Sequence, residues 1–352
     1  MKGINNHFHM KKTKTKTVYS GFKEIKNENV LRSEAAEPPE YHEYRKKWEE
    51  YPEKLIVPTF PLNLDIGATS KCNLKCPMCT RTQYIKEGKF IKIQDFDMIL
   101  YKKVVDEGAK NGLYALNLDN FGEAFMNPNI YAMVRYAKSK KILDVFFHTN
   151  ASLMDEKKAR KSIAAGLDRL IFSFDSPYQK KYEAIRIGTT FENTLGKIRA
   201  FAALKKKLGV IKPITRINCI RFPNTTQKEI DDTIKLFTPI VDAVSFIDYV
   251  NPVKSKQGVY KKGYVSKFVC PQLLTRLTVW EDGVISPCCM DYDRTLGLGN
   301  VAQVKIKEAW DSQKRKSILK KHLEGKFYEI SSCRNCDFAI SGDIEAQTKK
   351  RV

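Results

Sequence analysis

The chain has 352 residues, of which 42% are hydrophobic, and a formal net charge of +22 at pH 7. This length predicts one large domain with a smaller module attached, and the lack of any run of about 18 to 20 apolar residues argues against a membrane span. The first twenty residues lack the apolar stretch of a secretory signal, so we expect a cytoplasmic protein. Its nine cysteines should then be reduced, which favours metal binding or redox chemistry over disulfides.

Short apolar strands alternate with amphipathic helices over residues 56–250, after a basic, partly disordered extension at 1–55 with one short helix near 41–50. We predict strands at 62–66, 113–119, 143–149, 167–175, 214–220 and 241–248. Helices are predicted at 93–111, 128–140, 155–165, 191–208 and 226–237. Such α/β units predict a parallel sheet, either a partial (β/α)6 barrel or a doubly wound open sheet, with ligand sites at the carboxyl ends of the strands.

The alternation stops after residue 250, where a connector at 251–267 begins a small module that we place at 251–345. The stretch "LTVWEDGVISP" predicts a β-hairpin turning at Asp282–Gly283, and one helix is predicted at 305–322. Five of the nine cysteines lie in this module, which therefore is expected to be organised around them. Residues 346–352 form a C-terminal tail.

Three cysteines, Cys72, Cys76 and Cys79, lie within "KCNLKCPMCT", directly after the first predicted strand. A structural zinc site uses four protein ligands, and no histidine or fourth cysteine lies nearby, although a remote fourth ligand would complete such a site. A four-iron cluster held by three thiolates instead leaves one iron open for a small molecule.

This CxxxCxxC spacing resembles the radical S-adenosylmethionine (SAM) superfamily, whose fold is a partial (β/α)6 barrel similar to a TIM barrel. The resemblance covers roughly residues 60–250. It implies a [4Fe–4S] cluster whose open iron binds SAM, and a 5′-deoxyadenosyl radical that removes hydrogen from a small-molecule substrate. It also implies an external electron donor such as flavodoxin or ferredoxin.

Later segments resemble the stretches with which this family contacts SAM. "NFGEAF" resembles the GGEP stretch, which implies that Glu123 accepts from the SAM ammonium, although Phe121 and Ala124 replace the usual Gly and Pro. "FHTNAS" resembles the TNG segment, "FSFDSP" the fourth-strand segment, and "TRINCI" the fifth strand. The implied SAM-contacting residues are Met78, Glu123, Thr149, Asn150, Ser173, Arg216 and Asn218, with Asp175 a weaker candidate.

Each of these residues also has a structural interpretation. Glu123 and Asp175 are compatible with helix N-caps, Asn150 with a turn, and Arg216 with a salt bridge. Cys219, which alternates with the polar residues of the fifth strand, is predicted to be a buried packing residue.

The second cysteine group is Cys270, Cys288, Cys289, Cys333 and Cys336, spaced C-x17-C-C-x43-C-x2-C. Four thiolates can hold zinc or a [4Fe–4S] cluster, and spacing does not choose between them. The group resembles the SPASM/twitch extension of radical SAM enzymes, in the twitch form of 2-deoxy-scyllo-inosamine dehydrogenases. That implies one auxiliary [4Fe–4S] cluster on Cys270, Cys288, Cys333 and Cys336. Cys289 would replace Cys288 as ligand or act as a catalytic hydrogen donor.

The resemblance favours an oxidoreductase that removes hydrogen from a small hydroxylated substrate while the auxiliary cluster accepts an electron. A sugar or aminocyclitol fits, and the positive charge is compatible with a phosphorylated or nucleotide-linked form. Alternatives are an epimerase with a Cys donor and a peptide-modifying SPASM maturase. A zinc-stabilised nucleic-acid-binding protein is an alternative of another class, but the chain lacks the interleaved aromatic and basic residues typical of one.

Overall fold

The computed structural model describes residues 23–89, 92–250 and 263–348, with side chains to residue 343. The strands of its single sheet are β1 Lys23–Lys26, β2 Asn63–Ile66, β3 Ala115–Asn117, β4 Asp144–Thr149, β5 Arg169–Ser173, β6 Ile214–Arg221, β7 Ala243–Asp248, β8 Arg276–Val279 and β9 Ile285–Ser286. The helices up to β7 are α1 Glu28–Ala35, α2 Pro39–Glu53, α3 Thr80–Lys86, α4 Met98–Lys110, α5 Ile130–Ser139, α6 Glu156–Ala164, α7 Gln179–Ile185, α8 Phe191–Leu208 and α9 Gln227–Phe237. Those that follow are α10 Gln272–Thr275, α11 Ile306–Asp311, α12 Gln313–Leu323, α13 Ser331–Arg334 and α14 Asp337–Thr348.

The six predicted strands are β2 to β7, and all five predicted helices between them are present as α4, α5, α6, α8 and α9. The sheet order is β1-β7-β6-β5-β4-β3-β2-β8-β9, in which β2 to β7 are parallel and consecutive. A doubly wound sheet reverses its strand order at a switch point, and this sheet does not. Right-handed crossovers therefore put the connecting helices on one face, as in the predicted partial (β/α)6 barrel.

Strand side chains alternate between an apolar and a polar face. Leu64, Leu116 and Phe147 pack with the helices into the main core. Their neighbours Asp65, Asn117 and His148 project to the opposite face, because successive side chains of a strand point to opposite sides. Cys219 lies in the core with 2% of its surface exposed, which confirms it as a packing residue. The inner face of the barrel is thus polar.

Residues 23–53 are more ordered than the sequence suggested for the extension, whose residues 1–22 lie outside the described range. β1 pairs antiparallel with β7 at the edge of the sheet. In α2 the buried ring of Tyr44 stacks on Tyr114 at 5.4 Å, and the Arg276 guanidinium lies 4.9 Å from the Trp48 ring centroid. The order of this segment was underestimated because α2 is mostly polar in sequence. Tyr44 and Trp48, one helical turn apart, anchor it to the rest of the protein.

The C-terminal module continues the barrel sheet. β8 and β9 form the predicted hairpin, with Gly283 at φ +83°, and β8 also pairs in parallel with β2. The predicted helix at 305–322 is instead two helices, α11 and α12, because Ser312 interrupts it and caps α12 by accepting from the Arg315 backbone N–H. Most of the predicted connector, 251–262, lies outside the described residues. No helix among the described residues is long and apolar enough to span a bilayer.

Candidate active site

A cavity of about 420 Å³ opens at the carboxyl ends of the barrel strands. The predicted site residues that line it are Cys72, Cys76, Met78, Cys79, Glu123, Thr149, Asn150 and Ser173. They come from four separate segments of the chain, so the fold brings together the first cysteine group and most of the residues that the sequence associated with SAM.

The cysteine loop, residues 67–79, is fixed by the loop after β3. The Glu123 backbone N–H donates to the Lys71 carbonyl at 2.7 Å. Gly122 approaches the same loop so closely that a Cβ atom there would lie 2.2 Å from the Thr69 carbonyl oxygen and 2.6 Å from that of Lys71. Only glycine therefore fits at this position without moving the backbone.

The far side of the cysteine loop contacts the end of β4. Asn73 Nδ2 donates to Ser152 Oγ at 2.8 Å, and Asn73 Oδ1 accepts from Asn150 Nδ2 at 3.0 Å. Asn150 Oδ1 in turn accepts from the Ser152 backbone N–H at 2.9 Å, the turn contact that the sequence also allowed. Asn150 thus links the cavity wall to the cysteine loop.

Glu123 is buried, with 2% of its surface exposed. Its carboxylate accepts from Thr149 Oγ1 at 2.6 Å and from the Asn150 backbone N–H at 2.7 Å. It also caps the short 3₁₀ helix Ala124–Met126 by accepting from the Phe125 N–H, so the N-cap interpretation holds too. Burial raises the pKa of Glu123, and the hydrogen bonds from Thr149 and Asn150 oppose that rise. A cationic ligand group would favour the ionised carboxylate.

Two predicted SAM contacts do not line the cavity. Arg216 lies near the amino end of β6 and pairs with Glu24 at 3.3 Å, the salt-bridge interpretation. Asn218 Oδ1 accepts from Ser245 Oγ at 3.1 Å. Alternation placed both on the inner face, but it carried no information about depth. The inner-face residue of β6 that lines the cavity is Ile220.

Asp119 and His148, which were not among the predicted site residues, also line the cavity. Asp119 Oδ2 accepts from the His148 backbone N–H at 2.8 Å and pairs with Nδ1 of the same residue. Burial opposes ionisation of Asp119, yet its pKa is lowered overall by His148 and by the Asn117 amide. With Nδ1 engaged, Nε2 is the ring nitrogen that a ligand would meet. Their position at the ends of neighbouring strands was the signal that could have revealed them.

The five cysteines of the second group lie close together in the C-terminal module. Cys270, Cys288 and Cys333 pack against one apolar cluster, and Cys270, Cys333 and Cys336 pack against a second. Cys289 Sγ donates to Gln272 Oε1 at 3.2 Å and lies near Asp65 and Arg276, although it is also a neighbour of Cys288. The packing therefore favours the other four cysteines as a ligand set.

Burial raises the pKa of the Cys72 thiol to about 11 and that of the Cys270 thiol to about 12. Such thiols remain protonated until a cation replaces the proton. A group of three thiols fits an iron–sulfur cluster that leaves one iron open for SAM, and a group of four fits a fully ligated cluster. Among the described residues, no three His, Cys, Asp or Glu side chains converge as ligands of a single metal ion would.

An aromatic cluster lies between the two cysteine groups. Phe121 packs against Tyr292 and Trp280, with centroid distances of 4.8 and 5.3 Å. Burial raises the pKa of Tyr292, and Cys79 and Cys288 both lie close enough for their charges to raise it further. The packing accounts for a bulky Phe121 where the resembling family carries glycine.

Cys288→Ser and Cys289→Ser are expected to differ in iron content. If Cys288 is a ligand and Cys289 is not, the first variant falls to about four irons per chain after anaerobic reconstitution, and the second keeps about eight. Iron and sulfide assays on the two variants measure this directly. Equal iron loss in both variants would contradict the assignment of Cys288, rather than Cys289, as a ligand.

Two family models match the chain. The model described as Radical SAM superfamily matches residues 66–237, and the SPASM model, an iron–sulfur cluster-binding domain, matches residues 270–337. Together they span both cysteine groups.

Individual relatives are more distant. GTP 3′,8-cyclase from Clostridium botulinum is 27% identical over 205 residues, which are 58% of this chain and only 60% of the cyclase. The tungsten-containing aldehyde ferredoxin oxidoreductase cofactor-modifying protein of Pyrococcus furiosus is 22% identical over 333 residues, with 80% of this chain and 90% of that protein covered. The chain therefore spans less than two thirds of the cyclase.

The solved structure of BtrN in complex with AdoMet and 2-DOIA superposes with a TM-score of 0.52 at 15% identity, covering 79% of this chain and 93% of BtrN. At that identity the likeness concerns the fold alone. The two family models support the expected radical SAM domain with a SPASM extension. The expected specific similarity to 2-deoxy-scyllo-inosamine dehydrogenases is not confirmed, because the curated relatives include GTP 3′,8-cyclases.

Proposed function

Because this chain belongs to the radical SAM superfamily and carries a SPASM domain, we propose that it oxidises a carbinol carbon of a small sugar or aminocyclitol to a ketone. These families use a [4Fe–4S] cluster with SAM and auxiliary iron–sulfur clusters. When bound, these groups supply a radical that removes a hydrogen atom from carbon and a centre that accepts an electron. The protein must bind the groups, orient the substrate and accept a proton.

The ligand assignments follow the two thiol groups. Cys72, Cys76 and Cys79 would hold the cluster that leaves one iron open for SAM. Glu123, fixed by Thr149 and Asn150, would accept from the SAM ammonium, which favours its ionised form. The auxiliary [4Fe–4S] cluster would be held by Cys270, Cys288, Cys333 and Cys336.

The Asp119–His148 pair is the observation that carries the choice of oxidation. Converting an alcohol to a ketone removes a hydrogen atom from carbon, a proton from oxygen and one electron. Asp119 orients Nδ1 of His148 and would stabilise the imidazolium, so Nε2 can accept the hydroxyl proton in the cavity that holds the cysteine loop. The remaining electron would pass to the auxiliary cluster.

The position of Cys289 disfavours epimerisation. All nine cysteines lie among the described residues, and those lining the cavity are Cys72, Cys76 and Cys79. Cys289 binds Gln272 instead, so its thiol is not placed to return hydrogen to a substrate there.

The arginines lining the cavity favour a substrate without phosphate. Arg81 Nε donates to the Ser70 carbonyl at 2.6 Å, and Arg186 pairs with Asp175 at 2.6 Å. Since Asp175 compensates the charge of Arg186 and a backbone carbonyl holds Arg81, we expect an uncharged sugar or an aminocyclitol rather than a phosphorylated or nucleotide-linked one.

Incubation of the reduced enzyme with SAM and carbinol-deuterated probes, 2-deoxy-scyllo-inosamine and inositols, tests the proposal. We expect deuterium in 5′-deoxyadenosine and one ketone per SAM consumed. His148→Gln should lower ketone formation by about 100-fold or more while deuterium transfer persists. His42→Gln, on the exposed side of α2, is the matched control and should leave both unchanged. Solvent hydrogen in place of deuterium at the carbinol carbon, with inverted configuration and no ketone, would show epimerisation instead.

A further inference from the structure

The turn after α7 holds the cysteine loop from outside the barrel. The Lys75 backbone N–H donates to the Ile187 carbonyl at 2.9 Å. Gly188, at φ +112°, lies so close to the loop that a Cβ atom would be 3.1 Å from the Asn73 carbonyl oxygen. Arg186 begins this turn, and its side chain, 12% exposed, reaches into the cavity. This segment includes the end of α7, a helix that the sequence pattern did not predict.

Arg186 lies beside Cys76, one of the three cysteines proposed above to hold the SAM-binding cluster. Its guanidinium lines the same cavity as the Cys76 thiol, and its Nε is buried without a hydrogen-bond partner among the described residues. Burial raises the pKa of Cys76, and the positive charge of Arg186 opposes that rise. Asp175 also acts on Cys76, with opposite sign and smaller size. Cys76 therefore faces the positive end of an ion pair.

Asp175 fixes the direction of that ion pair. Its side chain is fully buried, with Oδ2 2.6 Å from an Arg186 Nη atom. The other oxygen, Oδ1, accepts from the Ile220 backbone N–H at 3.0 Å, which anchors the carboxylate to β6. Because both carboxylate oxygens have partners, the guanidinium is oriented before any cluster binds.

We propose that the Asp175–Arg186 ion pair sets the reduction potential of the cluster at Cys72, Cys76 and Cys79, with Arg186 acting as a positioning residue through the Cys76 sulfur. Reduction adds one negative charge to the cluster. A cation close to a ligand sulfur stabilises the reduced form and raises the potential, whereas a nearby carboxylate lowers it. This inference concerns the cluster and not the substrate, so it stands or falls independently of the proposed oxidation.

Substituting the two residues of the ion pair is expected to shift the midpoint potential of the cluster in opposite directions. Arg186→Gln removes the cation and leaves Asp175 uncompensated, so the midpoint potential should become more negative. Asp175→Asn keeps an oxygen for the Ile220 N–H but removes the counter-charge on Arg186, so the potential should become more positive. A residue that only supported the loop would not shift the potential in opposite directions.

EPR-monitored redox titration of the reconstituted holoprotein measures this without turnover. The signal that changes on adding SAM identifies the relevant cluster, and the auxiliary cluster serves as an internal reference with unchanged potential. Asp242→Asn, which breaks the buried Asp242–Lys205 pair, is the control and should leave the SAM-sensitive potential unchanged.

Opposite shifts in the two variants would establish the proposal. Shifts of the same sign, or no shift in either, would overturn it. If Arg186→Gln fails to retain iron, Asp175→Asn decides alone, since an unchanged or more negative potential in that variant contradicts the proposed polarity.

Discussion

Cys76→Ala is expected to abolish SAM cleavage and to leave about four irons per chain. The loop that carries Cys76 is hydrogen-bonded to Glu123 through Lys71 and to Ile187 through Lys75, so no other thiol can move into the place of Cys76. With two thiolates remaining, the cluster that would bind SAM should not assemble, while the second cysteine group is unaffected. Production of 5′-deoxyadenosine by the dithionite-reduced protein and an iron assay give the result.

Cys219→Ala is the matched control for this experiment. Cys219 is equally buried but packs in the apolar core on the helix side of β6. Its replacement should retain about eight irons and SAM cleavage, with a loss of stability of about 1 kcal/mol. SAM cleavage by Cys76→Ala at the rate of the unsubstituted protein would refute the assignment of this loop as the cluster site.

Gly122→Ala is expected to lower the free energy of unfolding by about 1 to 3 kcal/mol and to weaken SAM binding. The added Cβ would meet the backbone carbonyls of Thr69 and Lys71 at 2.2 and 2.6 Å, and backbone cannot rotate away as a side chain can. The cysteine loop or Glu123 must therefore shift. Chemical denaturation and equilibrium binding of SAM to the reconstituted protein measure the two effects.

Gly196→Ala is the appropriate comparison, since it makes the same chemical change where nothing lies within 4 Å of the new Cβ. Gly196 is inside α8, so alanine should stabilise the helix by about 0.5 to 1 kcal/mol. An equally stabilising effect of Gly122→Ala would contradict the close contact between Gly122 and the cysteine loop.

The sequence predicted the barrel well because each strand and helix carries its own local periodicity. The position of Thr149 and Asn150 at the cavity followed from the same logic, since strand ends of a parallel sheet share one edge. The alternation of side chains along a strand shows which face a residue occupies, but not how far along the strand the cavity begins. Arg216 and Asn218 were therefore predicted to contact SAM, whereas neither lines the cavity in the structure.

Contacts between distant segments left weaker signals. The adjacent residues Cys288 and Cys289 share their sequence context, and only the fold shows that Cys288 packs against an apolar cluster while Cys289 binds Gln272. Arg186 reaches Cys76 across more than a hundred residues of chain, and Asp119 meets His148 across two strands. Each of these pairings depends on tertiary geometry that residue spacing does not report.

The pairing of β8 with β2 bears on how this protein could be divided. β2, which leads into the cysteine loop, is hydrogen-bonded to β3 on one edge and to β8 on the other. Removing everything after residue 250 would expose that edge of β2 and invite strand exchange between molecules. Chimeras that swap the C-terminal module among relatives should therefore retain β8 and β9 with the barrel and place the junction after Ser286.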